Sequence, residues 1–403
     1  RLMRYMHAGG AFLIFFSLAV AGCGDASRSS QLPVSHDASV EFVLNDSVTA
    51  SFLGSREGSV WSLYNGDEVV TLTPLNDSTW KVPVFNGSWV LHKDQKNDSY
   101  RGHWVDSLRN PPGSYRVPLQ ILPPSASAQA TIEPLEIPTG TWNVWFGEDS
   151  GDSPGSQLDL TAEGGAVRAT IRNPTGDYRY LAGNVVGNAL QLQTFDGAHL
   201  FVFTASLKDG NWVGGHFYSG NHYHTTWRAA SAAPAPDQNP MQSLVVPDED
   251  LRVSVVDRAG NRSSISLRSD SLIVLDILGT WCPNCMDEVR LLHELYNPQS
   301  RFLSIAFERD TNPVSSYERL DTFSDELNLD WELFLGGKAS KKSAADAFPF
   351  LDRVISFPTT LFIRGNDVMV HSGFNGPATG ERYTMEKKRF QDQLNGFTSL
   401  ENR

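Results

Sequence analysis

The sequence predicts a multidomain chain: an N-terminal all-β barrel or sandwich region, then a C-terminal α/β region in which strands and helices alternate. Three observations carry this prediction. The 403 residues exceed one ordinary domain of about 150 residues. Residues 38–228 alternate aliphatic or aromatic with polar side chains between Asn-Gly and Asp-Gly turns, with almost no helical period. Beyond residue 248 short apolar runs are separated by amphipathic stretches long enough for helices. The composition is globular, 40% apolar and 20% charged, and a net charge of −13 argues against a nucleic-acid surface.

At the N-terminus Arg1 and Arg4 precede an apolar run, Ala11 to Val20, that ends in Val20-Ala21-Gly22-Cys23. The run is short for a membrane span and suits the core of a secretory signal. Its end resembles the lipobox of bacterial lipoproteins. That resemblance implies cleavage after Gly22 and a diacylglycerol thioether on Cys23; an ordinary signal peptide with a coincidental cysteine is the alternative. Residues 1–22 are thus expected to be a signal peptide and 23–37 a polar, Ser-rich tether.

Residues 38–228 are expected to be β-rich, with runs such as Val60-Trp61-Ser62-Leu63-Tyr64 and Leu190-Gln191-Leu192-Gln193 as strands. Phe85-Asn86-Gly87-Ser88 precedes Gly102-His103-Trp104, and Phe195-Asp196-Gly197-Ala198 precedes Gly215-His216-Phe217. This faint repeat suggests two related halves that pack together, with the break at Pro123-Pro124-Ser125-Ala126. Gly140-Thr141-Trp142 is similar to the Gly-x-Trp start of lipocalin-like and avidin-like barrels. The many tryptophans of this region are expected to pack a β-core rather than stack on sugars. His222 and His224 fall on one face of an extended strand and, with His216, form a candidate ligand group, although surface histidines are commoner than metal sites.

Ala229 to Pro240, rich in Ala and Pro, reads as a linker, assigned to 229–247. In residues 248–403 Leu272–Leu278, opening with the apolar run Leu272-Ile273-Val274-Leu275, reads as a buried strand. Cys285–Tyr296 reads as a helix with Val289, Leu292 and Tyr296 on one face. Arg301–Phe307 is a strand, Val314–Leu327 a helix, and Trp331–Leu335 a short strand. Thr359–Ile363 and Val368–Ser372 form a hairpin about Gly365-Asn366-Asp367, and Arg382–Leu394 a closing helix. The order is βαβ followed by ββα.

The chain holds three cysteines. With Cys23 acylated, Cys282 and Cys285 of Trp281-Cys282-Pro283-Asn284-Cys285 make one dithiol, between a strand and a helix. A Cys-x-x-Cys pair serves either redox chemistry or half of a zinc site; no second pair is present to complete four sulfurs. At the start of a helix the unpaired N–H groups and the dipole favour a thiolate, which makes Cys282 the attacking sulfur. Cys285, one turn inward, is placed to resolve the mixed disulfide. Pro283 suits the first turn because its missing N–H costs nothing there. No metal or other cofactor is expected.

Thr280-Trp281-Cys282-Pro283-Asn284-Cys285, Glu288, Phe357-Pro358-Thr359-Thr360-Leu361-Phe362 and His371-Ser372-Gly373-Phe374 together resemble the TlpA/ResA-type disulfide reductases of bacterial envelopes. The resemblance covers residues 248–403 and implies a thioredoxin fold there. It implies that Pro358 is a cis-proline beside the dithiol, and that Trp281, Phe357, Pro358 and Thr359 present surface and backbone to an extended substrate. It further implies that Asp276 relays the proton of the resolving thiol and that Glu288 is an acid near the active site; a solvated first-turn acid is the alternative for Glu288. By the same resemblance the protein is expected to be a membrane-tethered, periplasm-facing reductase of oxidised envelope proteins, supplied by an upstream membrane thiol donor. A thiol peroxidase is the second reading, but Leu275 and Gly279 stand where its Pro-x-x-x-Thr-x-x-Cys pattern needs Pro and Thr. A third is a partner- or glycan-binding lipoprotein whose dithiol region is secondary.

Overall fold

The computed structural model describes residues 37–109, 115–123, 137–148, 153–163, 166–236, 241–247 and 250–398. The expected signal and tether, with Cys23, lie outside the described residues, as do Pro124 to Ala128 and Asp237 to Pro240.

Eight antiparallel strands come first: β1 (Ala38–Asn45), β2 (Val48–Glu57), β3 (Val60–Asn65), β4 (Glu68–Asn76), β5 (Thr79–Lys81), β6 (Gly87–Asp94), β7 (Ser99–Asp106) and β8 (Tyr115–Leu122). Each pairs with the next, and β1 pairs with β8, so the barrel closes. Alternate burial along β1 places Val40 and Phe42 inside, among Trp89, Trp104 and Leu119.

A second set follows: β9 (Gly140–Phe146), β10 (Ser156–Glu163), β11 (Ala166–Asn173), β12 (Gly176–Asp177), β13 (Leu181–Val186), β14 (Ala189–Phe195), β15 (Leu200–Lys208), β16 (Asn211–Ser219) and β17 (Tyr223–Ala232). β9 pairs with β17 and with β10, and β10 pairs with β11, so eight strands close again while two-residue β12 hangs on β11.

The remainder comprises β18 (Met241–Val245), β19 (Arg252–Val256), β20 (Arg262–Ser266), β21 (Ile273–Leu278), α1 (Pro283–Glu294), β22 (Arg301–Glu308), α2 (Pro313–Leu327), β23 (Glu332–Lys338), α3 (Lys341–Ala347), β24 (Thr359–Arg364), β25 (Asp367–Ser372) and α4 (Glu381–Thr398). Its eight strands form one sheet in the order β18-β25-β24-β21-β22-β23-β19-β20, in which only β21-β22 and β22-β23 are parallel.

This architecture corrects the expected fold class. The N-terminal region is not one barrel or sandwich but two separately closed barrels. The chain is mostly β, with four α-helices among the described residues, and the α/β thioredoxin description fits only part of it. Alternation of apolar and polar side chains reports one buried face; it is the same for a sandwich and a barrel, and pairing of first and last strands leaves no mark in it. The expected linker also supplies strand: β17 runs to Ala232, and β18 pairs along β25.

The described residues form one compact unit. The repeated motifs explain part of this. Phe85-Asn86-Gly87 and Phe195-Asp196-Gly197 occupy the same place, between the fifth and sixth closing strands of each barrel, and the two turns meet. A Cβ on Gly197 (φ +96°) would come within 2.7 Å of Val82, so only glycine fits that approach. Phe195 stacks on Phe42 of the first barrel at 4.8 Å and meets Trp104 edge-on at 5.0 Å. In β15, Leu200 and Val202 join that core while Phe203 and Ala205 face their own barrel.

Candidate active site

Strand β21 is buried on both faces, between β22 and β24, and delivers the chain to the start of α1. The turn between them is pinned from several sides. The Glu308 carboxylate accepts from the Thr280 amide (2.9 Å) and hydroxyl (2.8 Å). The Trp281 indole donates to the Phe307 carbonyl at 2.8 Å, meets Phe357 edge-on, and lies under the Arg309 guanidinium. Cys282 has extended backbone and caps α1, its Sγ accepting the Cys285 amide at 3.3 Å. It is 7% exposed; Cys285 is fully buried beneath it. Both are free thiols.

The Phe357–Pro358 bond is cis. Ser356 Oγ and the Gly373 amide both donate to the Pro358 carbonyl at 3.0 Å, and the Cys282 thiol reaches the Phe357 carbonyl at 3.7 Å. Thr359 is buried, its hydroxyl donating to Ser356 O at 2.9 Å, so its side chain holds the loop rather than facing solvent. Trp281, Cys282, Phe357 and Pro358 therefore come together.

Behind the dithiol, Asp276 of β21, Glu288 of α1 and Thr360 of β24 are all buried. They lie close enough to interact, yet none of their side-chain oxygens is placed for a hydrogen bond. Burial lifts Asp276 to about 7, and burial together with the Asp276 charge lifts Glu288 well above the usual carboxylate range. Burial, then Cys282 and Asp276, raise the Cys285 thiol. Protons on this trio are shared, and their titration belongs to the group.

A stability profile follows from the sign of these shifts. Above its ordinary value of 3.8 the unfolded chain releases the Asp276 proton, while the folded chain keeps it up to about 7. The native state therefore binds more protons, and stability falls as pH rises through that window. Denaturant unfolding of the full chain is expected to show lower stability at about pH 8 than at about pH 5. The double variant Asp276→Asn, Glu288→Gln is expected to flatten that slope; an unchanged slope would assign it elsewhere.

The barrels reach this site through residues that the sequence did not single out. Between β12 and β13, Arg179 is 2% exposed. Its guanidinium bonds Glu68 of β4 (2.7 Å) and Asp287 of α1 (2.7 Å), with Asp196 at 3.7 Å. One cation thus joins both barrels to the helix that carries the dithiol. Asp177 accepts from the Gly376 amide, and its carbonyl accepts from Asn284, the residue preceding Cys285, at 3.1 Å. Burial foremost lifts Asp177 to about 6. Arg319 of α2 donates to the Val84 carbonyl at 2.8 Å, and Arg309 approaches Asp106 at 3.7 Å. No spacing rule flags Arg179; the only signal was a cation within the aromatic stretch Tyr178-Arg179-Tyr180.

His216 and His224 face each other at 3.0 Å on the outside of the second barrel, while His222 lies apart, edge-on to Tyr115. Among the described residues no three His, Cys, Asp or Glu side chains gather as a metal set.

A scan against protein-family models and a search of the curated proteins find no match. Solved structures similar to the chain include a secreted Mycobacterium tuberculosis disulfide oxidoreductase homologous to E. coli DsbE. It is 19% identical, with 34% of this chain and 99% of that one covered at a TM-score of 0.25. The thioredoxin domain of a Bacteroides vulgatus thiol-disulfide oxidoreductase is 15% identical, covering 36% and 94% at 0.25. An exposed lipoprotein thioredoxin of Streptococcus pneumoniae is 16% identical, covering 34% and 98% at 0.23.

Proposed function

We propose that this chain is a thiol–disulfide oxidoreductase that reduces disulfides of envelope proteins. The observation that supports it most is Cys282 at the N-cap of α1, its sulfur beside the cis-proline loop and above buried Cys285. The Cys282 thiolate attacks one sulfur of a client disulfide, forming a mixed disulfide and releasing one client thiolate. Cys285 gives up its proton to the Asp276–Glu288 group and attacks the Cys282 sulfur. The Cys282–Cys285 bond forms and the second client thiolate leaves. Two electrons pass from dithiol to client, and an upstream membrane thiol donor restores the dithiol. Asp276 suits the proton step because burial lifts it to about 7, so that near neutrality part of it is ionised and can take the Cys285 proton, while Glu288 beside it stays protonated.

The full chain is expected to reduce insulin disulfides with a thiol donor. The reductive direction rests on the TlpA/ResA resemblance, and equilibration against glutathione tests it. A potential near about −120 mV, that of a strong oxidant, would make the protein an oxidase instead. Tethering through Cys23 is part of the same proposal. Intact mass of membrane-extracted protein is expected to carry the acyl group; an unmodified Cys23 in a protein recovered without detergent would remove it. Among the described residues no helix is long and apolar enough to cross a membrane.

A further inference from the structure

The second barrel is open at the end that faces α1. Its mouth is a cavity of about 470 Å³. The walls are rings: Tyr178 lies 5.4 Å from Phe201 and 6.1 Å from Phe217, Phe201 lies 5.4 Å from Phe217, and Tyr223 closes the rim 6.2 Å from Phe217. Tyr223 is 53% exposed, so its ring is open to a guest from solvent. Asn284 lines the same cavity and stands between the two cysteines of the motif.

The charge of the rim is already spent internally. Arg179 is held by Glu68, Asp287 and Asp196, and Asp196 also accepts from the His199 amide at 2.7 Å. An anionic or cationic guest would find no unpaired partner among these groups, whereas a neutral ring finds edges and faces of four aromatic side chains. His222 at the rim is held toward its neutral form by burial, then by Arg109, and offers a hydrogen bond without charge.

We propose that this mouth is a specificity pocket for a neutral aromatic side chain of the client polypeptide, entering the barrel while a nearby client disulfide lies at Cys282. The proposal rests on the dithiol reading above and names the substrate class for it. Asn284 makes the connection: a group seated in the pocket touches the first turn of α1, so the ring and the reacting sulfur belong to one short extended segment. The second barrel thereby reads the client, and the C-terminal region reduces it.

The test uses the full chain and two disulfide-bridged peptides that differ only in Phe or Ala, placed about two to five residues from the cystine, a span set by extended-chain length. The Phe peptide is expected to be reduced with kcat/KM about tenfold higher, the difference lying in KM, as one well-seated ring contributes. Tyr223→Ala, at an exposed position, and Ser219→Trp, which fills the mouth, are each expected to bring the ratio to near one; Tyr223→Phe keeps it. Equal kcat/KM for the two peptides, or a ratio that persists in both variants, overturns the pocket. Hydroxyethyl disulfide separates the two readings. If it is reduced and no ring preference exists, only the pocket fails; if the chain reduces neither it nor the peptides, both readings fall. N-acetylphenylalaninamide is expected to compete weakly. Competition as strong as that of the cysteine-free Phe peptide would make the guest a free small aromatic and overturn the client assignment.

Discussion

Cys282→Ser is expected to lower disulfide reduction by at least about 10³-fold, the scale on which enzymes lose their attacking group. Cys285→Ser is expected to behave differently, accumulating mixed disulfides with clients that resist non-reducing electrophoresis and disappear on adding dithiothreitol. The asymmetry comes from position. Cys282 is the sulfur with any exposure, and it receives the Cys285 amide; Cys285 is fully buried and can only meet a disulfide that Cys282 has already opened. Equal trapping by both variants would show that either sulfur can attack and would undo the assigned roles.

Arg179→Met is expected to destabilise the chain by about 3–5 kcal/mol, because it leaves three carboxylates facing one another around a buried vacancy of charge. Lysine is expected to rescue little, since a single ammonium cannot reproduce the fork that bonds Glu68 and Asp287 together. Arg258→Ala is the control: its pair with Asp321 is more than half exposed and screened by solvent, and its loss is expected to leave stability nearly unchanged. Chemical denaturation measures all three. Alkylation of Cys282 offers a second reading, expected to quicken in Arg179→Met as the barrels lose their hold on α1. An Arg179→Met chain as stable as its parent would mean that the ion cluster contributes no net stability.

Much of the C-terminal region was legible in the sequence because its signals are local. A run apolar but for Asp276 gave β21, the helical period after Cys285 gave α1, and Pro313, Asn328 and Gly365 punctuate α2 and the β24–β25 hairpin as turn chemistry requires. Helix α3 and the β19–β20 hairpin were missed: Lys341–Ala347 is too short to show a period, and Arg262–Ser266 is mostly exposed. The dithiol was read from residue type and spacing, whereas Pro358 and the acids Asp276 and Glu288 entered through the TlpA/ResA resemblance. What could not be read was anything held by partners distant in sequence. Barrel closure needs β1 to find β8 and β9 to find β17; the Arg179 cluster draws from Glu68, Asp196 and Asp287. Thr359 lies in the loop that the sequence singled out, with its hydroxyl bonded to Ser356 O.

The insertion of Phe195 into the first barrel has a consequence for the order in which the protein is made. During synthesis the first eight strands emerge well before Phe195, so their interior, with Phe42, Trp89 and Trp104, waits incomplete for a side chain from the next barrel. Contacts of such long sequence separation form slowly, and apolar surface left open meanwhile is prone to association. The first barrel is thus a late finisher despite being first out, and a chain interrupted between the barrels is expected to need a holding chaperone where the complete chain does not.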